Sequence, residues 1–194
     1  MGKKRGQKYE AIIDAAVKVI AANGYHHSQV SKIAKEASVA DGTIYLYFKN
    51  KEDILISLFE EKMGQFVQKS KEKLDKEVSI EKKLFMLIEM HLMQLEEDHN
   101  LAIVTQLELR QSNKQLRNKI NEVLRDYLGL IDSILVDGVK EGVFPASLNA
   151  RFARQVIFGA IDEVVTNWVM KEHKYELVPL AKPLHDMLLN GLKK

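Results

Sequence analysis

Apolar residues along this chain recur at three- and four-residue spacing almost throughout. In "YEAIIDAAVKVIAANGY" they fall at Ile12, Ile13, Ala16, Val17 and Ile20, one face of a helix. Asn23-Gly24 closes that helix, with Gly24 suited to a left-handed cap. Ser28 stands where its hydroxyl would cap a second short helix, "VSKIAKEA", whose inner side is Val30, Ile33, Ala34 and Ala37. After "SVAD", Asp41 would cap a third, "GTIYLYF", which "KN" ends. A fourth begins near Lys51 and keeps helical period through Ile54, Leu55, Leu58, Phe59, Met63, Phe66 and Val67. Further helices are predicted near 80–97, 101–113, 115–140, 149–171 and 177–192. No period-two pattern and no internal repeat is present, so the expected fold is all-α.

Two stretches depart from the pattern of a surface helix. "LAIVTQLELR" is apolar around its whole circumference with Gln106, Glu108 and Arg110 interleaved. Such a helix is buried, so those polar groups need partners inside. "RFARQVIFGAIDEVVTNWVM" is also apolar on most sides, and Gly159-Ala160 would let another helix approach closely. One side is expected to face its own core and another a second subunit.

Composition adds exclusions. The chain has 194 residues, 3 prolines, 10 glycines and no cysteine, which removes disulfides and Cys-ligated metal. No apolar run approaches a membrane span. "MGKKRGQKYE" is basic but lacks the apolar core of a secretory signal, and Gly6 stands where myristoylation wants Ser or Thr. A cytoplasmic protein is expected. The net charge of +2 is uneven: residues 1–50 hold eight Lys/Arg against four acids, a net +4, leaving −2 for the rest. A basic first quarter suggests an anion-binding head. No Ser-His-Asp order, HExxH, P-loop or GxGxxG is legible, so neither an enzyme nor a cofactor is expected. His91 and His99 are eight apart and offer too few ligands for a metal.

The second and third helices, joined by a four-residue turn, carry the helix-turn-helix spacing. Ala34 is the small residue at their crossing, and Ile33, Ala37, Val39 and Ile44 form the small core beneath. Ile44 and Phe48 share one face and point inward, which leaves Thr43, Tyr45 and Tyr47 outside for a duplex. Gly42 would let a DNA backbone approach the helix start, and Lys51 could meet phosphate.

The run "NGYHHSQVSKIAKEASVADGTIYLYFKNKEDIL" resembles the DNA-binding head of the TetR family of bacterial repressors. Gly24, Val30, Ile33, Ala34, Ala37, Val39, Gly42, Thr43, Tyr45, Tyr47, Phe48, Lys51 and Leu55 match the family's usual run. By position, the resemblance implies that Ser31, Thr43, Tyr45, Tyr47 and Lys51 contact phosphate and bases. Three departures stand out. Ser38 replaces the usual turn glycine, Ala40 replaces the usual capping serine, and Asp41 puts a carboxylate where a cation is common. That carboxylate would either cost phosphate affinity or read a cytosine amino group. The expected division is a helix-turn-helix domain over 1–50 and a ligand-binding and dimerisation domain over 51–194.

"NLAIVTQLELRQSN", "LRNKINEVL" and "RQVIFGAIDEVVTNWVM" are similar to the branch of that family that represses fatty-acid degradation and responds to long-chain acyl-CoA. This implies release from operator DNA by acyl-CoA. An acyl chain needs an apolar tunnel, for which Phe66, Leu92, Leu95, Ile103, Leu107, Leu124, Leu128, Ile157 and Phe158 are candidates. Arg110, Lys114, Arg117 and Lys119 offer cations for CoA phosphates. A homodimer is expected, because one recognition helix reads few base pairs and specificity needs two about 34 Å apart. Leu177, Leu180, Leu184, Met187 and Leu188 would form part of a four-helix seam across the twofold axis. Two other readings share the head. One is a ligand-free nucleoid-associated protein with a fully packed second domain. The other is a TetR-like sensor of another ligand, such as a cationic drug, whose pocket would want aromatics and acids.

Overall fold

The computed structural model describes residues 6–192. Among them form nine α-helices and no strand. They are α1 (Gln7–His27), α2 (Val30–Glu36), α3 (Asp41–Ile44), α4 (Lys51–Leu74), α5 (Ile80–Glu97), α6 (His99–Glu108), α7 (Lys114–Lys140), α8 (Ala150–Met170) and α9 (Ala181–Leu192). A 3-10 turn over Val178–Leu180 precedes α9. No described helix is long and apolar enough to cross a membrane.

The contacts gather into two compact units that do not follow chain order. The first takes Met1–Lys62 and Asn100–Val123, the second Met63–His99 and Leu124–Lys194. α4 and α7 are each one unbroken helix whose two halves belong to different units.

In the first unit α1 packs on α2, and α2 on α3. Ile12, Ile13, Ala16 and Ile20 of α1 are buried, as are Ile33, Ala34, Ile44 and Phe48. Ala37 and Val39 are half-buried. α1 runs past its expected end: Gly24 breaks the helical geometry at φ 71° and ψ 156°, and one more turn reaches His27. Only glycine adopts that conformation without strain. α2 starts without a side-chain cap. Ser28 is buried, and its hydroxyl turns back to the Gly24 and Val19 carbonyls at 2.7 and 3.2 Å. The cap expected of Ser28 is thus replaced by a tie to α1. Asp41 does not cap α3 either, because Ala40 occupies the cap position and carries no oxygen. The regular part of α3 is four residues, but the Phe48 and Tyr47 amides still reach the Ile44 carbonyl, so the turn continues.

In the second unit α9 packs on α5 and α8. The Glu96 carboxylate accepts from the Leu177 and Val178 amides and fixes the turn before α9 to α5. Arg154 Nη1 meets Asp132 Oδ2 at 2.6 Å, joining α8 to α7. Ser79 and Asn149 cap α5 and α8 through their side-chain oxygens. α6 ends at Glu108, five residues before its expected end. Of the five residues expected in a dimer seam, Leu177 and Leu188 are buried within the chain and are not available to a second subunit.

Candidate functional site

The exposed face of the first unit is set by what lies beneath it. Ile44 and Phe48 are buried, and Phe48 stacks on Tyr9 with ring centroids 5.2 Å apart. That anchor leaves Tyr45 58% exposed and Leu46 81% exposed. Leu46 did not stand out in the sequence, since a leucine in a short helix reads as core. Tyr47 is half-buried, its ring tilted against Tyr9 at 6.4 Å, so it is less free than expected. Ser31 and Gly42 are exposed and Thr43 is half-buried. A Cβ added at Gly42 would meet nothing within 4 Å, and its φ is not left-handed. Nothing within the chain therefore demands glycine at 42. Ser38, by contrast, adopts φ 55°, the left-handed conformation that the missing turn glycine would have supplied. The Val39 amide bonds the Ala34 carbonyl at 2.9 Å and the Ser38 amide bonds that of Lys35 at 3.1 Å, which closes α2 in a Schellman turn.

Lys51 lies behind this face. Its Nζ donates to the Tyr25 and His26 carbonyls, both at 3.0 Å, and rests 4.6 Å from the Tyr25 ring centroid. A cation at the last carbonyls of α1 complements that helix end. Two of its three donors are therefore spent on holding α4 to α1. The Tyr25 amide donates to Glu108 Oε1 at 2.8 Å, and Gln111 Nε2 donates to Glu108 Oε2. Arg117 Nη1 donates to the Gln111 carbonyl at 2.8 Å and to that of Ser112 at 3.3 Å. Burial, followed by the Glu52 and Glu108 carboxylates, pushes the Tyr25 hydroxyl up to about 12. The partners expected for the buried polar groups of α6 thus include the amide just after the Gly24 break. Tyr25 itself carried no sequence signal, because its role depends on a residue 83 positions away.

The expected effector residues divide between the units. Phe66, Leu92, Leu95, Leu124, Leu128, Ile157 and Phe158 belong to the second, and Ile103, Leu107, Arg110 and Arg117 to the first. Phe66, Leu92, Leu95 and Ile157 are buried, while Leu107 is 47% exposed. Phe66 and Phe158 close around Tyr127 at 5.7 and 6.0 Å between centroids. The second unit also holds a cleft of about 470 Å³ that shares none of those residues. Leu74, Leu130 and Ile134 floor it, with Lys71, Lys83, Arg125, Asp75, Asp126 and Asp137 around. Nothing local marked these charges, which read as ordinary helix surface. His91 and His99 join separate ring clusters, His91 with Tyr127 and His99 with Trp168 and His173. No metal-ligating group of three or more occurs among the described residues.

Residues 12–58 match the family described as bacterial regulatory proteins, tetR family, and residues 59–191 match the C-terminal region of YsiA-like proteins, a TetR C-terminal family. The chain belongs to the TetR family. Among curated TetR relatives, the fatty acid metabolism regulator protein of Bacillus subtilis (strain 168) is 58% identical over 190 residues, covering 98% of each chain. A structure of the fatty acid degradation regulator FadR from Bacillus halodurans is 62% identical with a TM-score of 0.93, covering 95% of this chain and 100% of that one. FadR from Bacillus subtilis, in complex with stearoyl-CoA, is 59% identical with a TM-score of 0.93, covering 95% of this chain and 99% of that one. The TetR fold, an N-terminal helix-turn-helix followed by a helical domain, is the architecture the resemblance implied.

Proposed function

We propose that this TetR-family protein represses fatty-acid degradation genes and leaves its operator when it binds long-chain acyl-CoA. The observation that carries this is the near-full-length identity to fatty-acid regulators, one of them holding stearoyl-CoA. The recognition element is the turn from Asp41 to Phe48. Tyr45 and Leu46 meet bases or thymine methyl groups, while Ser31, Thr43 and Tyr47 reach phosphate. Gly42 leaves room for the DNA backbone. Lys51 acts mainly by position, since its ammonium is engaged with α1. A homodimer presents two such elements to successive major grooves. Phe152, Val156 and Met187, exposed on α8 and α9, are the apolar surface that a second subunit would cover.

The effector acts by preferring a conformation in which the two elements no longer match the operator. α4 and α7 pass unbroken from the second unit into the first, and Glu108 ties α6 to the end of α1. A shift at the start of α4 reaches the end of α1 through Lys51, and one at the start of α7 reaches it through Arg117, Gln111 and Glu108. The test is fluorescence anisotropy of labelled duplexes drawn from the regions upstream of fatty-acid degradation genes, titrated with stearoyl-CoA. A sequence-selective complex that dissociates at micromolar stearoyl-CoA is expected. A complex indifferent to acyl-CoA would end the proposal.

A further inference from the structure

One polar contact lies among the rings of the second unit. His91 Nδ1 of α5 is 3.0 Å from the Tyr127 hydroxyl of α7. Phe66 stands edge-on to His91 at 5.8 Å, and Phe158 edge-on to Tyr127 at 6.0 Å. The second imidazole nitrogen, Nε2, is buried and has no hydrogen-bond partner. A buried ring nitrogen without a partner costs free energy that an apolar side chain of the same shape would not. Phe66 also lines a surface groove of about 170 Å³ with Met90, Met93 and Gln94. One side chain is thus common to the groove and to the ring cluster around His91.

Two features decide what chemistry fits that nitrogen. The imidazole is neutral at physiological pH, because burial pushes it down to about 4. It offers no cation for a carboxylate or a phosphate. Burial, and behind it the charge of buried Asp162, pushes the Tyr127 hydroxyl up. Tyr127 therefore stays protonated. A protonated hydroxyl can donate to Nδ1, which puts the ring's own proton on Nε2. What fits a neutral N–H donor among apolar rings is a neutral acceptor on an apolar chain.

We propose that His91 Nε2–H donates to the thioester carbonyl of the acyl-CoA effector, with Tyr127 fixing the tautomer and the neutral imidazole offering a free carboxylate no counter-charge. This rests on the acyl-CoA reading above and adds a selection rule to it: thioester over thioether, and thioester over free acid.

Isothermal titration with stearoyl-CoA, its thioether analogue S-octadecyl-CoA and stearate tests it. The full-length protein is expected to bind the thioester about tenfold or more tightly than the thioether, the range of one hydrogen bond, and stearate more weakly than either. His91→Phe should bind thioester and thioether alike, and His91→Gln, which keeps a donor, should restore part of the preference. Equal affinities in the unaltered protein, or a preference that survives in His91→Phe, overturns the inference while leaving the acyl-CoA reading intact. Failure of the unaltered protein to bind either CoA overturns both. Should the variants not fold, the histidine ring signals of the 15N-labelled protein decide. The Nε2 signal of His91 should move with the thioester more than with the thioether, and an equal response overturns the proposal.

Discussion

At the scale of single residues, two positions separate fold from function. Ser38 holds a left-handed conformation that costs an L-residue roughly 1 kcal/mol. Ser38→Gly is therefore expected to stabilise the protein by about that amount in urea denaturation, because the Schellman turn it completes stays intact. Gly42 is the opposite case. It lies in α3 with open space around it, so Gly42→Ala should be neutral or stabilising by up to about 1 kcal/mol. The same substitution should weaken operator binding at least several-fold if a backbone approaches there, and anisotropy measures this directly. His91 gives a pH signature. Its value falls from 6.5 to about 4 on folding, so between those pH values the unfolded chain takes up a proton that the folded one refuses. Stability should fall as pH falls through that window, by at most roughly 1.4 kcal/mol per pH unit. His173, lowered by burial and by His99, acts in the same direction. Thermal melts from pH 7 to 4 should show a slope that His91→Phe flattens.

At the scale of elements, the junction of α1, α4 and α6 matters more than any one helix. Each end alone is weak. α1 is broken at Gly24, α2 has no side-chain cap, and α6 is ten residues long. Glu108 and Lys51 supply from the side what these ends lack along their axes. Glu108→Ala strands the Tyr25 amide and the Gln111 side chain, at a cost of about 1–3 kcal/mol. The expected outcome is a lower urea midpoint together with a smaller effect of stearoyl-CoA on DNA affinity. If the midpoint falls while the effector response is unchanged, the junction is structural only. A similar side-on constraint governs Gly138 in α7, where a methyl group would run into the Phe144 ring. Glycine there is a packing requirement, although a glycine inside a helix reads as a flaw.

At the scale of the molecule, the proposed assembly draws on the apolar surface left on α8 and α9. Phe152 and Met187 are 63% and 77% exposed, and they are the side chains that a second subunit would cover in the proposed dimer. Phe152→Glu with Met187→Glu should yield monomers by sedimentation velocity. Helicity should be retained, because neither side chain is part of the core. Operator affinity should fall by more than tenfold, since one recognition turn reads too few base pairs. A double variant that stays dimeric would move the interface elsewhere.

The all-helical class, the helix-turn-helix and the inward direction of Ile44 and Phe48 could be read from the chain alone. They depend on residues three or four apart, so periodicity carries them. Ser38 stood out only as a departure from the family's turn glycine, and its left-handed conformation is seen in the structure. Packing settled the rest. Ser28 and Asp41 have good capping side chains, yet Ser28 is drawn to α1 carbonyls and Ala40 takes the cap position ahead of Asp41. Lys51 reads as a phosphate contact, and only packing shows that two of its donors are engaged by the end of α1. The Glu108–Tyr25 bond, the His91–Tyr127 pair and the charged cleft join residues tens of positions apart. Such contacts arise from where helices meet, which no local spacing encodes.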